Sequence, residues 1–212
     1  MPLAHVRKMT ASLVHWNPWT WIALLYGLQF FGAVPIAIAF GLSFEEMTIP
    51  IALLITGTLH AIVARLTAKR KSLGALHRRL PAIIYCLFIF SLSNESFKDT
   101  HISFNVNFFH PLEYAVLAIF LCWAGYSALP FKGVMPSIRR ILISGIVFAI
   151  LDEIHQSFVP GRTPSFVDLL LDFLGLSVGC AIFFTGRHLW QKLTGGEQIR
   201  KLPGNSMVLK DL

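Results

Sequence analysis

An all-α fold, a polytopic membrane helix bundle of about six transmembrane helices, is predicted by three observations. The 212-residue chain is 55% hydrophobic and 14% charged, with a mean hydropathy of +0.64, too apolar for a soluble domain of this size. Its apolar runs approach the roughly 20 residues that a helix needs to cross a bilayer core of about 30 Å, without the alternation of a barrel strand. Its basic residues gather in the segments between those runs.

The runs place spans at about 20–42, 48–64, 80–96, 111–129, 138–156 and 166–186. The third is the weakest, because "LPAIIYCLFIFSL" gives way to "SNESFKD", so its outer half must face protein or water. At the first, "VRK", an apolar run and "AIA" resemble a secretory signal with its cleavage site. The run from Trp19 to Leu42 is longer than such a signal needs, so the helix is expected to stay.

Positive loops stay cytoplasmic, and with both termini inside, all of the 18 Lys and Arg except Lys98 and Arg162 fall on the inner side. The acids sort oppositely, with only Glu197 and Asp211 inside. A multi-pass protein of the plasma membrane is expected. It divides into a two-helix extension (1–75), a four-helix membrane domain (76–186) and a cytoplasmic tail (187–212).

The net charge of +7 does not indicate a nucleic-acid partner, since the basic residues are split among short loops without an aromatic-studded face. "RLTAKRKSLGALHRR", 65–79, suits a topology determinant resting on anionic headgroups. Cys86, Cys122 and Cys180 lie within apolar spans with no metal-ligand spacing and are read as packing residues. His60, near the inner end of the second helix, is read as a snorkelling residue.

The chemistry gathers in "LDEIHQSFVPGRTPSFVDLLLDFLG", 151–175. Asp152, His155 and Gln156 stand at i, i+3 and i+4 on one helical face, with Glu153 turned about 100° away. Pro160 and Gly161 make a turn that brings Arg162 back over the helix end. Asp168, Asp172, Gly175 and Gly179 then form one stripe of the sixth helix, the glycines permitting close helix approach. His110, Glu113 and Tyr114 repeat the i, i+3, i+4 pattern on the fourth helix, and Ser91, Ser93 and Asn94 arrive from the third at the same depth. Each charge at mid-bilayer would cost about 2.5–3.5 kcal/mol if it faced lipid. The groups are therefore expected to meet in an outward-opening polar cavity, with Arg162 offsetting some of the carboxylates.

"HPLEYAVLA", followed by "DEIHQSFVPGRTPSFVDLLLDFLG", resembles the signature of the VanZ-like family of membrane proteins, named for a member associated with teicoplanin resistance, over about 80–186. Many relatives carry a compact Asp-Lys-x-x-His before the fourth helix, where this chain has "SFKDTHISFNVNFFHP". Either His101 or His110 could fill the family's histidine position, and His110, adjoining "LEYAVL", is preferred.

The resemblance implies a class of protein and no defined reaction. One reading is recognition of a lipid-linked or lipid-tailed molecule at the outer leaflet. Its ligand contacts would be His110, Tyr114, Gln156, Arg162, Asp168 and Asp172, with Arg162 suited to phosphate or carboxylate. The expected partners are membrane lipids and a lipid-linked envelope precursor or lipidated glycopeptide. The alternative is an intramembrane hydrolase or transferase using Glu113, Asp152, Glu153 and His155 as acid, base or proton relay. No Ser or Cys nucleophile motif and no HExxH spacing accompanies them, and metal and cofactor stay open. A third reading is an interhelical polar network that only fixes packing.

Overall fold

The structure, a computed structural model, describes residues 17–67, 75–95, 109–128 and 134–193. These form six helices: α1 (Pro18–Phe40), α2 (Phe44–Thr67), α3 (Ala75–Ser93), α4 (His110–Ala128), α5 (Val134–Gln156) and α6 (Phe166–Leu193). Among the described residues there is no strand. His101, the greater part of the basic loop and the end of the tail lie outside the described residues.

Local chemistry sets the first two helices. Asn17 accepts the Trp19 N–H at 3.0 Å and Pro18 fills a first-turn position that needs no donor. Gly41, at φ 69°, stops α1 with its N–H 3.1 Å from Ile38 O, while the Leu42 N–H reaches Ala37 O at 2.9 Å. Ser43 and Glu46 then start α2 as a capping box: the Ser43 N–H donates to Glu46 Oε2 at 2.6 Å and the Glu46 N–H to Ser43 Oγ at 3.3 Å.

Residues 17–181 form one compact unit; of a second unit, the described part is the end of α6, where Phe183 and Phe184 meet edge to face at 5.4 Å. In the first unit α1 is fastened to α3 and α4 by aromatic residues. Tyr26, fully buried, donates to Pro81 O, stacks on Phe120 at 4.8 Å and meets Tyr85 edge to face at 6.0 Å. Tyr85 in turn donates to Gln29 Oε1 at 2.5 Å. Gly57 of α2 makes room for this group, since a Cβ there would stand 2.5 Å from the Tyr26 ring.

His60, read from the sequence as a snorkelling residue, meets His77 of α3 near the end of its helix. Pro81 lacks the N–H that would bond the carbonyl one turn back, and His60 Nε2 lies 3.2 Å from that carbonyl, His77 O, with its ring stacked on His77 at 5.6 Å.

The polarity is inverted relative to a soluble domain. Phe31, Ile38 and Phe166 are 73%, 75% and 74% exposed, while Asp152, Asp172 and Gln156 are 1%, 1% and 2% exposed. Four helices, α1, α2, α3 and α6, are long and apolar enough to cross a membrane. The apolar stretch of α4 is shorter, His110–Gly125, and α5 carries Arg139, Arg140, Asp152 and Glu153.

Candidate functional site

Two helix pairings organise the polar level. Between α3 and α5, Ser93 Oγ donates to Asp152 Oδ2 at 2.8 Å. Gln156 Nε2, one turn on, donates to the same oxygen at 3.1 Å and to Ser93 Oγ at 3.3 Å. Between α4 and α6, His110 Nδ1 lies 3.0 Å from Asp172 Oδ1. The second pair depends on the glycine stripe, because a Cβ at Gly175 or Gly179 would collide with the backbone oxygen of Pro111 or Ala115.

Glu153, on the other side of α5, accepts the Ser165 N–H through Oε2 at 2.8 Å, and Ser165 Oγ accepts the Asp168 N–H at 3.3 Å. Glu153 thus places a carboxylate at the positive end of α6. His155 turns to Phe90, the rings stacked at 3.9 Å, and Tyr114, fully buried, faces Phe148 at 6.1 Å.

Gly161, at φ 87°, makes the turn before Arg162, and the guanidinium reaches the end of α3: Nε donates to Glu95 O at 2.9 Å and Nη2 to Leu92 O at 3.3 Å. The last carbonyls of a helix have no intrahelical donors and carry its negative end, so a forked cation fits there. Burial lowers the pKa of Arg162, and the field of Asp152, then of Glu113, Asp168 and Glu153, opposes that shift. The cation and four of the carboxylates therefore share one electrostatic neighbourhood.

Beside this network lies a cavity of about 410 Å³. Its polar lining residues are Gln29 of α1 and a cluster of Ser93, His110, Glu113 and Arg162, which come from the end of α3, the start of α4 and the turn after α5. The rest is largely apolar, and much of it comes from α1, with Leu25, Leu28, Gly32, Ala33 and Ile36, and from Phe88 and Val116. Of the ten expected site residues, only His110, Glu113 and Arg162 line it. Asp152 and Asp172 stand one hydrogen bond behind the lining, through Ser93 and His110, and Gln156 behind Ser93. Tyr114, Glu153, His155 and Asp168 do not line it. The expected cavity is thus only partly polar, because the carboxylates are spent on neighbouring helices. Gln29, at the wall, was missed; an amide inside an otherwise apolar helix was the available signal.

Several buried oxygens keep no partner among the described residues: Asp152 Oδ1, Glu153 Oε1, Asp172 Oδ2 and the Tyr114 hydroxyl. No three His, Cys, Asp or Glu side chains converge as a metal-ligand set among the described residues. Cys122 and Cys180 are free thiols with sulfurs 3.8 Å apart.

No curated protein and no solved structure matches the chain. A family model described as VanZ/LLP1 matches residues 10–190, a stretch that takes in α1 and α2 as well as the motifs of 110–175. The chain is a member of the VanZ/LLP1 family, a VanZ-like protein with the helices of a membrane protein.

Proposed function

We propose that this protein is a multi-pass protein of the plasma membrane that binds a lipid-tailed molecule with an anionic or polar headgroup in the 410 Å³ cavity. The observation that carries the reading is the make-up of that cavity: a largely apolar wall along α1, interrupted by Gln29, and a polar cluster of Ser93, His110, Glu113 and Arg162 where α3 ends and α4 begins. A tail fits the first and a headgroup the second. Arg162, although it holds two carbonyls of α3, lines the polar end as its strongest cation, and His110 and Ser93 add hydrogen-bonding capacity. Asp152 and Asp172 hold Ser93 and His110 in place rather than touching the ligand. With the termini on the basic, inner side, the polar end faces the outer leaflet, where lipid-linked envelope precursors and lipidated glycopeptides insert. Lowered susceptibility to teicoplanin would follow from capture of its acyl tail.

A second reading, an intramembrane hydrolase or transferase, is favoured by one observation. Glu113 lines the cavity one helical turn from His110, where a general base would face a bound substrate.

The test compares growth inhibition by an acylated glycopeptide and by the same core without its tail, in cells expressing the protein. Recognition predicts protection against the acylated compound alone, abolished by Ala33→Trp, which fills the cavity, and retained in part by Glu113→Gln. Equal protection against both compounds would refute tail recognition, and complete loss with Glu113→Gln at normal protein levels would favour the enzyme.

A further inference from the structure

A second cavity, about 290 Å³, lies between α3, α4 and α5. Arg79 lines it from α3, and Ser93, at the polar end of the first cavity, lies about 20 Å further along the same helix. The two sites are therefore separate. Arg79 and Arg140 are exposed, and Ser137, in the first turns of α5, is 2% exposed. The walls are apolar, with Ile83, Leu121 and Ile141.

Neither arginine has a carboxylate partner among the described residues, and no described acidic side chain lines the cleft. Helices α3 and α5 begin at this end and α4 ends there, so two positive helix ends and two arginine charges stand against one negative helix end. The distribution of Lys and Arg puts the same end on the inner side of the membrane. Ile83 and Ile143, 45% and 54% exposed, continue the apolar surface along α3 and α5.

We propose that this cleft binds one anionic phospholipid of the inner leaflet, its phosphate between Arg79 and Arg140 and the upper part of an acyl chain against Ile83, Leu121 and Ile141. Positive charge without a protein counter-ion calls for an anion. The apolar walls select an anion that carries a chain, because a free phosphate would leave them unused. The site lies apart from the outer cavity and stands whether or not that cavity binds a lipid.

The test uses the full-length chain in nanodiscs of phosphatidylcholine, with or without phosphatidylglycerol, and reads retained lipid by native mass spectrometry together with the melting temperature. The unaltered protein should retain phosphatidylglycerol over phosphatidylcholine by about tenfold and melt higher in its presence. Arg79→Gln with Arg140→Gln should bring that preference close to parity. Arg65→Gln with Arg139→Gln removes the same charge from the same side without touching the cleft, and should keep the preference. The proposal is overturned if the control pair loses it equally, since a diffuse surface field would then suffice. It is overturned as well if inorganic phosphate in phosphatidylcholine discs raises the melting temperature as much as phosphatidylglycerol does. Retention by the unaltered protein needs no variant to fold, and no preference there ends the proposal.

Discussion

His110 of α4 and Asp172 of α6 face each other with Nδ1 and Oδ1 3.0 Å apart, their side chains 8% and 1% exposed. Each makes the other's burial tolerable, since a lone carboxylate or imidazole at that depth would lack a partner. His110→Ala and Asp172→Ala should each lower stability by about 1–3 kcal/mol. The double variant should lose less than the sum, because no orphan remains. Thermal unfolding in detergent measures this, and simple additivity would show that the contact is incidental.

Beneath that pair, α4 and α6 touch through glycine. Gly179→Val sets a branched side chain against the backbone at Ala115, which cannot yield as a side chain can, and should cost about 3 kcal/mol or more. Gly27→Ala is the control, since a Cβ there meets nothing within 4 Å. Its melting temperature should hold or rise slightly. Equal losses at both positions would contradict the close approach.

The partnership of His60 with the carbonyl orphaned by Pro81 gives a compensation experiment. His60→Leu should destabilise by up to about 1 kcal/mol, because His77 O exchanges a fixed side-chain partner for water. Pro81→Ala restores a helical N–H to that carbonyl and should remove most of the penalty in the double variant. If Pro81→Ala leaves the loss from His60→Leu unchanged, the ring is not acting as a substitute donor.

Arg162 should resist replacement by lysine. Its Nε and Nη2 reach two carbonyls of α3 at once, 2.9 and 3.3 Å away, and a lysine ammonium cannot reproduce that fork. Arg162→Lys should lower the melting temperature nearly as much as Arg162→Gln while keeping the charge. Pairing Arg162→Gln with Asp152→Asn should recover part of the loss, since Asp152 makes the largest electrostatic contribution at the guanidinium. Additive losses would mean that the cation serves the carbonyls alone.

The helices themselves were legible because their signals are local. Apolar runs placed the first span at 20–42 and the helix is Pro18–Phe40, ended by a glycine at positive φ. The i, i+4 spacing put Asp152 and Gln156 on one face, and both meet Ser93. The glycine stripe foretold the close contact of α6, though not that α4 would supply it. Pairings between helices were not legible, because spacing within one helix says nothing of the rotation of its neighbour. The contacts of Arg162 with the carbonyls of α3, and of His60 with His77, are therefore visible only in the folded chain. The wall supplied by α1 was hidden for another reason: a helix apolar on all sides has no periodicity to mark which face lines a cavity.

The central claim, that the divided cavity holds a lipid tail beside a polar headgroup, is tested most directly by photolabelling the full-length protein in membranes with a long-chain polyprenyl phosphate bearing a diazirine on its tail. Labelled positions are then mapped by mass spectrometry. The account predicts label on the inward-facing part of the cavity lining, at Leu25, Phe88 and Val116, strongly reduced by Ala33→Trp, and about tenfold weaker labelling in Arg162→Gln. Label spread evenly over outward-facing residues such as Leu59, Leu66 and Phe166, and indifferent to Ala33→Trp, would contradict it.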